Sequence, residues 1–455
     1  MTELALRRPD GRVAAIARTR REWLLPLVWI ALHAPLVYAM RLSPLVGVAH
    51  FAIVMTIGLA IVLQRRGSER VAYVAMYIAG SEVLWRMTGA AREGVFWEAG
   101  KYGTSFLFLL AIARSGRLRM PWLPFAYFAA LLPSLLPVYM EYGILEARQS
   151  LSFNLSGPFA LLASAWFFHR LHVRRDDLRT LLLSYLGPCC GIAFGALFGM
   201  AAAEKLEFGT GSNFQTSGGY GPNQVSAALG LGTVFALAYA QTAARTATER
   251  WGALAVAVGL LAQSVLTFSR GGLYNTVGAL AVGGVFLLRD PAQSVRYVLG
   301  VAAISTVFML AVFPALNDFT GGRLEARFEN TKGTGREEIA EGDLDVWREH
   351  FVLGVGPGMS RWYREHKTRR MAHTEYTRLL AEHGVFGLLA IVAMAAMAGL
   401  SVLRAPPGPS RAFVAATACW ALLYMLHAAM RLALPSLLLG LCMMSLRLPT
   451  RGGRR

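Results

Sequence analysis

The feature that most constrains this chain is its succession of long apolar runs. A bilayer core takes about 20 helical residues to cross. Candidate spans lie at 23–40, 45–63, 71–90, 103–113, 122–140, 156–168, 180–200, 223–242, 251–269, 271–288, 297–315, 378–403, 412–430 and 432–446. The runs at 103–113 and 156–168 are short, reading as half-helices or as borrowing flanking residues, so twelve spans is the alternative to fourteen. Inside a bilayer no water satisfies main-chain N–H and C=O groups, so such runs are helices. The expected fold is all-α: a polytopic transmembrane helix bundle of about 12–14 spans with one long, partly helical loop.

Composition excludes the competing classes. Only 16% of the residues are charged, against about 25% in soluble domains. With 55% hydrophobic residues the chain is also not disordered, since disorder requires low hydrophobicity. The net charge of +18 is then a membrane-topology signal and not one for nucleic acid. Cys189, Cys190, Cys419 and Cys442 all fall inside apolar runs without CxxC spacing, and read as small core residues. The polar, Arg-rich first 22 residues give no sign of a cleavable signal peptide.

Charge also orients the bundle. With the N-terminus in the cytoplasm, 26 of the 45 Lys and Arg fall in the inner segments, beside only eight of the 27 Asp and Glu. The spans and outer face keep 19 bases and 19 acids. Every inner loop obeys the positive-inside rule, which implies an even number of spans and two cytoplasmic termini. The expected organisation is a cytoplasmic tail at 1–22, transmembrane helices over 23–315, a periplasmic loop at 316–377, C-terminal transmembrane helices over 378–446 and a cytoplasmic tail at 447–455. The long loop carries an amphipathic stretch from Glu337 to His350 and a basic run from Arg361 to Arg370. Loops this long are functional or disordered.

Several constellations sit at the expected outer ends of spans. In the first, Ser217-Gly218-Gly219-Tyr220-Gly221-Pro222-Asn223-Gln224, glycines lead into a proline suited to a first helical position. Free N–H groups at a helix start suit a phosphate, and Asn223 and Gln224 can hydrogen-bond sugar or phosphate; the plain alternative is an ordinary turn. In the second, Ser269-Arg270-Gly271-Gly272, an arginine with almost no loop around it joins two apolar runs. Such an arginine is paired, faces a wet cavity or snorkels, and its planar fork suits bidentate phosphate binding. The third runs from His373 through Glu375, Tyr376 and Arg378 to Glu382-His383-Gly384. At helical spacing Glu375, Arg378 and Glu382 pair on one face. His373 lies on another, as a candidate general base or a bland interfacial histidine. Gly354-Val355-Gly356-Pro357-Gly358 reads as a sharp turn. Asp343-Leu344-Asp345 resembles a metal-binding DxD but lacks partner ligands nearby, so no metal site is expected. Glu82 and Arg86 stand i,i+4 on one helix, neutralising each other or contributing with Lys101 to an anionic-ligand cavity.

Taken in order, these elements resemble the O-antigen ligase / O-antigen polymerase superfamily. The resemblance rests on Gly221-Pro222-Asn223, Ser269-Arg270-Gly271, the long loop ending in Gly-Val-Gly-Pro-Gly at 354–358, and His373 to Gly384. It implies a metal-independent, cofactor-free membrane glycosyltransferase of the bacterial inner membrane, moving a glycan from a polyprenyl-diphosphate donor to a lipid or glycan hydroxyl acceptor at the periplasmic face. The step belongs to lipopolysaccharide or exopolysaccharide biosynthesis, and a polysaccharide polymerase of the same superfamily is the alternative. By the same resemblance His373 activates the acceptor hydroxyl and Arg270 binds the diphosphate. Gly219, Tyr220, Gly221, Asn223, Gln224 and Ser269 surround the donor, with Glu375, Tyr376 and Arg378 in support. Family members often carry a second arginine upstream of the Pro-Asn element. Here Gln215 and Thr216 occupy that stretch, and Lys205, Arg86 and Lys101 are the candidates for the missing charge. The reading from another class is a transporter or flippase for a lipid-linked or anionic solute; that class places ionisable groups near the bilayer midplane, whereas these cluster at span ends.

Overall fold

The computed structural model describes residues 24–64, 68–116, 119–209, 211–288, 291–330, 335–364 and 370–448. The N-terminal tail and most of the C-terminal tail lie outside these residues. Each of the fourteen apolar runs contains helix. In chain order the helices are α1 (Leu24–Leu42), α2 (Pro44–Leu63), α3 (Val71–Met87), α4 (Ala99–Ser115), α5 (Trp122–Ala130), α6 (Leu135–Glu141), α7 (Ile144–Phe168), α8 (Arg175–Ala201), α9 (Pro222–Ala238) and α10 (Ala247–Leu266). There follow α11 (Arg270–Leu287), α12 (Pro291–Val307), α13 (Arg323–Glu329), α14 (Arg336–Glu349), α15 (Glu375–Arg404), α16 (Pro409–Ala428) and α17 (Ala433–Leu441).

Among the described residues, nine helices are long and apolar enough to cross a membrane. The run at 156–168, short in sequence, belongs to the 25-residue α7 and spans in full. The run at 103–113 lies in the 17-residue α4. The last run, 432–446, holds only the nine-residue α17, about 14 Å long at 1.5 Å per residue. That is half a bilayer core, and every residue of α17 is buried in protein. The fold is an all-α polytopic bundle.

Helix breaks follow local chemistry. Pro133 cannot donate to the helical ladder, and the chain turns between α5 and α6, where Ser134 Oγ donates to the Leu131 carbonyl at 2.8 Å. Gly384 interrupts α15 with φ +58°, a conformation cheap only for glycine. Close helix crossings depend on small residues, as membrane packing favours. A Cβ at Gly272 of α11 would collide with Ser226 of α9, and α11 packs in turn on α16.

The charged groups sort to two ends. At one, His172–Val173 pairs in parallel with Ser445–Leu446, Tyr73 OH donates to Asp177 at 2.9 Å, and Arg179 bonds Glu249 at 2.6 Å. These contacts lie within or next to the segments expected to be cytoplasmic. The motif residues and the long loop gather at the other end.

Candidate active site

The Gly-Pro-Asn and Ser-Arg-Gly elements are physically joined. Ser269 Oγ donates to Asn223 Oδ1 at 2.8 Å, and Ser226 Oγ donates to the Ser269 carbonyl at 3.0 Å. The starts of α9 and α11 therefore stand side by side. Before Ser269 the backbone is strained: Phe268 has φ +58°, and its carbonyl accepts from Arg327 Nε of α13 at 3.1 Å. Arg270 Nη1 donates to the Asn330 carbonyl at 2.6 Å. The long loop thus folds back over the Ser-Arg-Gly turn. Gly271 lets α11 approach His427 of α16, whose ring a Cβ there would meet at 2.6 Å.

Around this turn collect cations that the sequence reading did not assemble. Burial and the fields of Arg270, Arg327 and Arg431 all lower the pKa of Arg336, the first residue of α14. Burial and Arg270 do the same to Arg327. Among the described residues the Arg336 guanidinium has no hydrogen bond or ion pair. Arg431, half-buried between α16 and α17, donates to the Ala372 carbonyl at 2.8 Å. His373 lies among these cations, half-buried, with Nδ1 lacking a hydrogen-bond partner. Burial, then Arg431, Arg336, Arg370 and Arg364, push its pKa down to about 4. Its imidazole is therefore neutral at physiological pH, the state in which a histidine accepts a proton.

A second set of charges holds the strap that presents Arg431. Residues 429–432 are non-helical, with Ala429 at φ +50°. Met430 N donates to Glu375 at 3.1 Å, and its carbonyl accepts from Lys101 Nζ at 3.3 Å. The Arg431 carbonyl accepts from Arg86 at 3.3 Å, and Ala433 N donates to Glu82 at 2.7 Å. Main-chain groups buried here need internal partners, and four charged side chains supply them. Arg86 is further occupied by Glu82 at 2.6 Å and Tyr220 OH at 3.1 Å. Glu375, Arg378 and Glu382 form the expected ion-pair series: Arg378 bonds Glu375 on one side and Glu382, at 2.8 Å, on the other.

The structure therefore brings Arg270, Ser269, Asn223 and His373 to one end of the bundle with Arg336, Arg327 and Arg431. Gly219, at φ +82°, is open to space around it, whereas the Gln224 side chain folds back over Gly221. Tyr220 stacks on Trp97, with ring centroids 6.3 Å apart, and Tyr376 OH donates to the Leu422 carbonyl at 2.9 Å. Arg86 and Lys101 face the strap. Lys205 stands apart, exposed beside Glu207 at 3.6 Å. The two aspartates of Asp343-Leu344-Asp345 diverge. Asp343 is fully buried against Arg364 at 2.8 Å, while Asp345 pairs with Arg348 at the surface. Among the described residues no group of three His, Cys, Asp or Glu is placed to hold a metal.

The sequence signal for Arg431 matched the one used for Arg270, an arginine with almost no loop between two apolar runs. Arg336 carried none beyond following a glycine. The Gly-Val-Gly-Pro-Gly turn also has a partner that only the fold reveals. Val355 N and Gly356 N donate to the Ala381 and Glu382 carbonyls at 3.1 and 2.9 Å, groups freed by the break at Gly384. This docking holds the loop's end on α15. Below it lies a cavity of about 690 Å³, lined by segments of α7 and α15, the 358–364 turn and the strap.

No curated protein matches this chain. Residues 253–392 match the O-antigen ligase (Wzy_C) family model, a stretch that contains Arg270, Arg327, Arg336 and His373. This domain match supports membership of the O-antigen ligase/polymerase superfamily, membrane enzymes of glycan biosynthesis.

Proposed function

We propose that this protein transfers a glycan from a polyprenyl-diphosphate carrier to a hydroxyl acceptor at the periplasmic face of a bacterial inner membrane, both termini being cytoplasmic. The observation that carries the reading is a run of cations at one end of the bundle, with Arg270, Arg327 and Arg431 acting on Arg336, and Arg336 and Arg431 acting in turn on a neutral His373. Clustered, like-charged guanidinium groups repel one another, and an anion relieves the repulsion. A diphosphate fits chemically, because it brings two or more negative charges and acceptor oxygens for planar forks.

The reaction then runs as follows. The acceptor hydroxyl gives its proton to His373 as its oxygen bonds to the anomeric carbon, and the bond from that carbon to the diphosphate oxygen breaks. The arginines stabilise the negative charge on the departing polyprenyl diphosphate, as preorganised cations do for a developing anion. The donor also tunes the base. Four arginines lower the His373 pKa, and a bound diphosphate screens them and raises it. The base strengthens when there is a glycan to transfer.

No step uses a metal. Ligase and polymerase share this chemistry and differ in the acceptor. The site charges lie at one end of the bundle and not at its midplane, which favours surface chemistry over transport. The test is transfer in proteoliposomes with a polyprenyl-diphosphate-linked glycan. His373→Ala and Arg270→Ala should each abolish transfer while the protein inserts and melts like wild type. Wild-type rates in either variant refute the reading.

A further inference from the structure

The cavity beside the cation cluster is a separate chamber. Arg364 and Arg431, two of the cations that depress His373, line it. Arg270, Arg327 and Arg336 do not. His373 itself does not line it, but the preceding residue, Ala372, does, and the fields of both Arg431 and Arg336 reach His373. A single inverting displacement at an anomeric carbon brings the nucleophile in opposite the leaving group, and a cation cluster on one side of the base with this chamber beside it suits that arrangement. At about 690 Å³ the chamber falls in the roughly 300–1,000 Å³ range of small-molecule sites.

Its lining identifies the class of occupant. Trp97 and Phe153 put aromatic surface on the chamber wall for the C–H face of a sugar, and Gln149 adds an amide for its hydroxyls. Charge in the chamber is unbalanced. Glu375 and Glu382 are occupied by Arg378, and Arg364 by Asp343. Arg148 is exposed and has no ion-pair partner among the described residues. Arg361 lies 4.7 Å over the Trp362 ring, with its Nε buried and unpartnered. One guanidinium, Arg378, serves both Glu375 and Glu382, so one carboxylate charge remains there; with Glu98, two acids stand against Arg148, Arg361 and Arg431.

We propose that this chamber is the acceptor site and that the acceptor is an acidic saccharide, its carboxylate or phosphate held by Arg148 and Arg361. The inference rests on the glycan-transfer reading for its direction, and on the lining residues for its chemistry. Arg148 marks the open side, and the wall at Ala372 and Arg431 is where a bound sugar's hydroxyl meets His373.

The experiment measures binding of trigalacturonate, a monophosphorylated maltotriose and neutral maltotriose to the full-length protein in nanodiscs by isothermal titration calorimetry, with inorganic pyrophosphate as the probe of the donor space. The expected result is at least about tenfold tighter binding of one or both acidic trisaccharides than of maltotriose, the difference a charge-assisted contact makes. Which of them binds tells carboxylate from phosphate. Arg148→Gln/Arg361→Gln should remove that preference and leave pyrophosphate affinity unchanged. Arg148→Gln alone, at an exposed position, should remove part of it if the double variant misfolds. Arg270→Gln/Arg336→Gln should do the reverse, weakening pyrophosphate only. Equal binding of acidic and neutral sugars overturns the proposal, as does acidic binding that is lost with the donor-space variants instead. Pyrophosphate that fails to bind wild type counts against the donor assignment and leaves the saccharide comparison standing.

Discussion

Replacing Arg336 with glutamine separates function from stability more cleanly than any other change in the site. Among the described residues the guanidinium has no hydrogen bond or ion pair, and its electrostatic neighbours are Arg270, Arg327 and Arg431. Removing it breaks no native bond and relieves like-charge repulsion. Thermal stability should therefore stay within about 1 kcal/mol of wild type, on the favourable side if it moves. Arg364→Gln is the contrast. It leaves Asp343 buried without its ion-pair partner, a loss worth about 3–5 kcal/mol. Activity should behave in the opposite sense. One preorganised cation facing a developing anion contributes about 2.7–4 kcal/mol, so kcat/KM for the donor should fall about 10²–10³-fold in Arg336→Gln. The assay is initial-rate glycan transfer in proteoliposomes across donor concentrations, paired with a thermal melt of the same preparation. A variant that keeps kcat/KM within about threefold of wild type, or that unfolds, refutes the argument that this arginine is held unpaired for a ligand.

Three further outcomes follow from particular groups. Its surroundings push the His373 pKa down to about 4; a base works deprotonated, so kcat/KM, which reports the free enzyme, should stay flat as pH falls through 6.5 and decline only near 4, whereas the limb in kcat, which reports the donor-bound enzyme, should lie higher. A decline in kcat/KM centred at 6.5 would show that the arginines do not depress His373. Gly384→Ala should destabilise the protein by at least about 1–3 kcal/mol, because φ is +58° and a Cβ would sit 2.5 Å from the Phe351 carbonyl oxygen; a melt equal to wild type would contradict the observed break in α15. EDTA should leave transfer unchanged, and a loss restored by Mg²⁺ or Mn²⁺ would bring Asp343 and Asp345 back as ligands.

Much of the architecture was legible before any coordinates. Apolar length alone located the helices, because a bilayer imposes one solution on every such run. The pairing of Glu375, Arg378 and Glu382 was legible too, since i,i+3 and i,i+4 neighbours on a helix meet whatever surrounds it. Local backbone geometry suffices for such statements. It did not suffice for α17, where nine helical residues are buried by neighbours; hydropathy reads a protein-covered half-helix and a lipid-covered span alike.

What only the tertiary structure decided is how the charges are used. Arg86 and Lys101 stood in sequence as candidates for a ligand charge, and the fold turns both onto the main chain of the strap at 430–431. Arg336 and Arg327 lie in the long loop more than fifty residues from Arg270 in the chain, and the fold brings their fields onto one another. The sequence by itself determined which segments are helical, where the membrane charge asymmetry lies and which order of motifs signals the family, because those properties depend on near neighbours and on the solvent. It did not determine which arginines are left without a partner. That depends on every group that comes within a few ångströms in space, and long-range contacts are settled only when the whole chain packs.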